Sequence, residues 1–166
     1  MRRRSRWFNI RRRMGQRAKE EKLQIAGELA VALAPYLWDH SWGFGLNLYF
    51  DDVHVDYREL KSYIFSGEQA DDADIVMEHF EEACVETGEF DDSKYQAYRE
   101  ILALDSGIEM YIACEQEIYE QIYLHMWDGQ PAGSGMVAAI TETLQRHGMI
   151  WDLEDYSIEI YSDEPE

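Results

Sequence analysis

Carboxylates are the side chains with which this chain could do chemistry. The stretches "FDDVHVD" (residues 50–56) and "DDADIVMEH" (residues 71–79) combine Asp, Glu and His, the donor types that hold Mg²⁺ or Ca²⁺. Neither has the spacing of a calcium-binding loop, and Glu120 stands five residues before His125, where a di-iron Glu-x-x-His pair needs three. His40, His54, His79, His125 and His147 are scattered, which suits packing or surface roles. Cys84 and Cys114 lack C-x-x-C spacing and read as reduced, buried thiols. No P-loop or G-x-S-x-G is present, and "GFG" (43–45) and "GSG" (133–135) lack the strand and helix context of a dinucleotide site. These patterns point away from an enzyme. We expect no catalytic residues, no metal and no cofactor, and a metal-dependent enzyme is only a third reading.

Charge is the stronger signal. Residues 1–22 carry ten Arg and Lys against Glu20 and Glu21, a net of plus 8. Residues 23–166 carry five bases against 32 acids, a net of minus 27. Such a field repels nucleic acid and anionic lipid and attracts basic surfaces. We therefore expect no direct nucleic-acid binding by the acidic body and no membrane association, and the reduced thiols suggest a cytoplasmic location. The run "LQIAGELAVALAPYLW" is interrupted by Gln24 and Glu28 and is too polar for a membrane span.

The acids need elements to position them. Ile25, Leu29 and Leu33 recur at helical spacing over residues 16–34, with Pro35 as the stop. Alternation at Phe44, Leu46, Leu48 and Phe50, then Val53, Val55 and Tyr57, predicts a hairpin turning at Asp51-Asp52. Helices are predicted after Asp71 up to Gly88, over 93–104, over 108–127, and between Ser134 and Gly148. Tyr156, Ile158 and Ile160 could add a strand to the hairpin. The expected fold is α+β: a mostly helical single domain with a small antiparallel hairpin or three-stranded sheet. We divide it into a basic, flexible arm (1–15), one acidic globular domain (16–161) and an acidic tail (162–166).

On those helices the acids repeat every three or four residues. Asp71, Asp74, Glu78, Glu81, Glu82 and Glu86 form one ridge. Glu109, Glu117, Glu120 and Asp128 share a sector of about 100°, opposite Ile112, Ile118, Tyr119, Ile122 and Met126. Glu115 falls in the apolar arc unless the helix begins after it, the reading we adopt. Asp152, Glu154 and Asp155 extend the negative surface towards the C-terminus. Such rows lack the lysines that soften an ordinary charged face, which implies either a partner's cations or selection for an anionic surface. By charge count, the 27 net negative charges of residues 23–166 match roughly 46 Å of duplex DNA at about 1.7 Å per phosphate.

The segment "IYEQIYLHMWD", Ile118 to Asp128, resembles the Ocr family of phage antirestriction proteins, where an Ile-Tyr-Glu-Gln run precedes an apolar-Trp-acid ending. The resemblance implies a double-stranded DNA mimic, often dimeric, that occupies the DNA-binding groove of a restriction or other defence enzyme. It also implies that Glu117, Glu120 and Asp128 belong to a charge array with no single critical side chain. The basic arm, the hairpin and "DGQPAGSG" depart from that mostly helical pattern. The function expected is thus a non-enzymatic inhibitor with a basic DNA-binding protein as partner and a possible homodimer. The alternative is an acidic immunity or anti-toxin protein that covers the active site of a basic nuclease.

Overall fold

In the computed structural model, which describes residues 17–39, 45–60, 72–129, 131 and 133–163, the alternating pattern forms β1 (Leu46–Phe50) and β2 (Val53–Asp56). They pair antiparallel across Asp51-Asp52, with Asp51 at φ 51°. A short acidic side chain tolerates that left-handed geometry better than a bulky one. The hairpin is part of a larger sheet, completed by β3 (Val85–Thr87), β4 (Ile108–Cys114), β5 (Met149–Glu154) and β6 (Ser157–Ser162). The spatial order is β3-β2-β1-β4-β6-β5, and every adjacent pair is antiparallel. The fold is α+β, but the sheet corrects the expectation of a small hairpin or three strands beneath a mostly helical domain.

Five α-helices accompany the sheet among the described residues: α1 (Lys19–Asp39), α2 (Ala73–His79), α3 (Ser93–Leu104), α4 (Gln116–Asp128) and α5 (Ser134–Gln145). Asp72 and Asp92 cap α2 and α3 by accepting backbone N–H bonds. Pro35 does not end α1, which runs on to Asp39 although proline removes the bond to the carbonyl four residues back. After His79 the chain forms a π-helical turn, Phe80–Cys84, and passes straight into β3 before Gly88. The helix expected over 108–127 divides at Glu115: the first half is β4 and the second is α4. Glu115 is the exposed residue before the first turn of α4. Tyr156 lies in the turn before β6, and β6 pairs with β4 and β5 rather than with the β1–β2 hairpin. Ser162 closes β6.

The strands alternate between two faces. Leu48, Phe50, Val55, Met110, Ile112, Ile158 and Ile160 point into the main core, which α1, α2, α4 and α5 complete with Leu29, Val76, Ile122 and Ile140. Tyr49, Tyr111 and Ala113 point to the other face, where Tyr95 and Tyr98 of α3 cover them. β4 is consequently buried along its whole length. Its central position makes it the strand on which both layers rest. Replacing Ile112 with Ala should cost about 2–5 kcal/mol, measured as a lower urea midpoint with an unchanged slope.

α1 is tied to the rest by polar contacts. The buried Tyr57 hydroxyl donates to the carbonyl of Ala26 at 2.9 Å. Glu28 meets His147 at 2.9 Å and Arg146 at 3.4 Å, which links α1 to the turn after α5. Burial raises the Glu28 pKa, but hydrogen bonds from His147, Gln24 and Arg146 outweigh it and hold the pKa below its ordinary value of 4.5. A depressed carboxyl stabilises the fold above its unfolded pKa, and that contribution fades as pH falls through the folded value. Glu28→Gln should therefore lower stability at pH 7, and the deficit should vanish as pH falls below the depressed pKa of the Glu28 carboxyl, as read from denaturant titrations at pH 7 and across the acid range.

Candidate functional site

The first acidic group follows the chain from α2 into β3. Asp74, Glu78, Glu81, Glu82 and Glu86 are all exposed. The regular three-to-four spacing holds only along α2, because the π-helical turn and β3 redirect the later acids. Glu86 lies on β3 opposite His54, with a side-chain separation of 3.6 Å. Asp71, the predicted start of this ridge, falls outside the described residues, as does the basic arm of residues 1–15.

The second group belongs to α4 and the β5–β6 hairpin. Glu117, Glu120 and Asp128 are exposed on α4, and Asp155 is exposed in the turn between β5 and β6. That turn meets the start of α4: the Cys114 N–H donates to the carbonyl of Tyr156, and the rings of Tyr119 and Tyr156 are 4.6 Å apart. Burial, and next the charge of Asp155, raise the pKa of the Tyr119 hydroxyl. Asp152 and Glu154, expected on the negative surface, are half-buried on β5.

Glu109 is a correction. It belongs to β4, is 3% exposed, and accepts the backbone N–H of Arg17 at 2.9 Å, with the Arg17 guanidinium 3.7 Å away. The helical wheel that grouped it with Glu117 does not apply across the strand-to-helix junction.

Five of the described Lys and Arg residues pair with other acids. Arg17 bridges Glu21 and Glu109; Lys19 binds Asp52 at 2.7 Å; the buried Lys22 binds Asp51 at 3.1 Å. Arg58 binds Asp56, and Arg146 binds Glu28. Among the described residues, no Lys, Arg or His forms an ion pair with Asp74, Glu78, Glu81, Glu82, Glu117, Glu120, Asp128 or Asp155. Eight exposed carboxylates thus have no ion-pair partner among the described residues.

The sheet also assembles a row that sequence reasoning missed. Its pairings place Glu86, His54, Tyr49, Tyr111, Glu159 and Asp152 side by side across all six strands. The aromatic middle lies under α3, and the ends are acidic. Glu159 is buried and accepts a 2.8 Å bond from the Tyr161 hydroxyl, which also lies 3.4 Å from buried Asp105. The clue was the alternation in "SIEIYS", which sends Glu159 away from Ile158 and Ile160. A cleft of about 580 Å³ near α3 is lined by Asp51, Asp52, Phe90, Asp91, Tyr95 and Tyr98, among others. Its acids at 51 and 52 are already taken by Lys22 and Lys19.

Among the described residues, no three His, Cys, Asp or Glu side chains are grouped so as to hold a metal ion, and no helix is long and apolar enough to cross a membrane. Cys84 and Cys114 are free and buried, and burial pushes both thiols up to about 12. Thiolate is the reactive form. Both cysteines should therefore resist a thiol reagent at about pH 8 in the native protein, and labelling should follow urea unfolding.

Comparison with family models, with curated proteins and with solved structures finds no significant match.

Proposed function

We propose that the protein is a non-enzymatic inhibitor that presents a double-stranded DNA-like array of carboxylates to the basic groove of a DNA-binding defence protein, in the manner of the antirestriction family its α4 segment resembles. The observation that carries this reading is the set of eight exposed acids that, among the described residues, receive no cation, while Arg17, Lys19, Lys22, Arg58 and Arg146 pair with other acids. Distances decide how many rows are needed. α4 is about 20 Å long at about 1.5 Å per residue, so its three acids supply about one charge per 7 Å, against about 3.4 Å per phosphate along one DNA strand. One helix is too sparse, and the α2–β3 group must contribute. The outermost strands of the six-stranded sheet are roughly 24 Å apart, from five gaps of about 4.8 Å. A groove that accepts duplex DNA can engage anions on that scale.

Binding to such a partner should weaken about tenfold or more between 50 and 200 mM salt, and duplex DNA should compete. Carboxylates condense fewer counterions than a duplex, so the salt slope should be shallower than that of the partner's own DNA. Neutralising Glu117, Glu120 and Asp128 together should weaken inhibition, whereas each single change should do little. Equilibrium binding and restriction-protection assays across a panel of DNA-acting enzymes measure both effects. Affinity indifferent to salt would refute the reading. Inhibition confined to one nuclease active site would select an immunity protein instead.

A further inference from the structure

α4 carries more than charge on its outer side. Tyr119, Tyr123 and Trp127 follow one another at four-residue intervals, with ring centres 5.9 and 6.2 Å apart, and Tyr156 extends the series from the neighbouring turn. Exposure grows along it: Tyr119 is half-buried against the core, Tyr123 is 44% exposed and Trp127 is 69% exposed. Leu124 and Met126 are exposed as well. Large exposed aromatics at the end of one helix are the anchors that protein interfaces use.

Charge complementarity identifies what they would take. At about 100° per residue, Glu120 projects between Trp127 and Leu124, within about 60° of Tyr123. Gln116 donates to one oxygen of Glu120 at 3.0 Å and so helps to orient the carboxylate. Asp128 and Asp155 lie at the two ends of the aromatic series, and residues 100–145 contain no Lys or Arg. A carboxylate beside open ring faces suits a planar cation. Guanidinium can pair with the carboxylate through two N–H groups while stacking on a ring, whereas an ammonium is a compact, strongly hydrated charge that gains less from the rings.

We propose that this face of α4 is a docking site for an arginine-bearing segment of a basic partner protein, with one guanidinium held by Glu120 and stacked on Tyr123 or Trp127. The inference deepens the function proposed above: it rests on the acidic surface taking a basic protein, and not on that protein's natural ligand being DNA. It adds selectivity for arginine over lysine, which charge mimicry alone does not supply.

The test uses the full chain and two fluorescein-labelled nonapeptides of equal charge, one with arginines and one with lysines at the same positions. Anisotropy titrations at about 0.15 M salt, where exposed charges are largely screened beyond about 8 Å, isolate the stacking contribution. The arginine peptide should bind about tenfold more tightly, as expected for one or two stacked guanidinium groups. The double variant Tyr123→Leu/Trp127→Leu keeps apolar bulk and removes the rings, so the two affinities should converge. Trp127→Phe should retain most of the preference, and thermal melting confirms that each variant is folded. Equal affinities in the wild type, no binding of either peptide, or a preference that survives the double variant would each overturn the proposal. Neither DNA nor a defence enzyme is present, so loss of duplex competition in the earlier assays would sink DNA mimicry without touching this result.

Discussion

Mutual repulsion among carboxylates is the constraint under which this fold exists. From Leu23 onward, 32 acids face five bases, while a domain of this kind has a net stability on the order of 5–15 kcal/mol. The answer is a central strand buried on both faces, with four helices against one side and α3 against the other. Cations are placed where an acid must sit close to that framework. Lys22 is buried beside Asp51 at the β1–β2 turn, and Arg17 reaches Glu109 in β4. Glu159 and Asp105 are buried without a cation and meet the Tyr161 hydroxyl instead, while the acids of α2 and α4 face water.

That division gives the acids two jobs. Those at the sheet and its turns (Asp51, Asp52, Glu109 and Glu159) and Glu28 on α1 are paired or hydrogen-bonded and belong to the architecture. Those on α2, the π-helical turn and α4 are exposed, at positions where short spacing along the chain keeps like charges close. A cationic partner would relieve that repulsion, so the unfavourable arrangement in the free protein becomes a gain on binding. The aromatic series on α4 gives the same surface contact area that does not fade with salt.

Much of this arrangement could be read in the residues, with a definite limit. Alternation revealed the β1–β2 hairpin, and Asp and Gly punctuation placed α3 within its observed bounds. The exposed acids of α2 and α4 were legible because solvent-facing positions follow the helical period directly. β4 was not, since "IEMYIAC" is buried on both faces, and a buried run gives little period-two contrast; Glu109 then fell by coincidence into the same wheel sector as Glu117. β3 is three residues long and continues directly from a helical turn, with no punctuation to mark it. On α4 the buried stripe is Ile118 and Ile122, while Met126, assigned to the apolar side, is exposed, as is Trp127. Composition can identify an aromatic, but only tertiary packing decides whether anything covers it.

The salt dependence of folding stability tests most directly whether the exposed anions are uncompensated. Between about 0.01 and 0.5 M sodium chloride the screening length falls from about 30 Å to a few ångströms. If like-charge repulsion dominates the surface, the urea midpoint must rise steadily across that range. A midpoint that stays constant or falls would mean that the carboxylates are already neutralised within the protein, and would contradict the central claim.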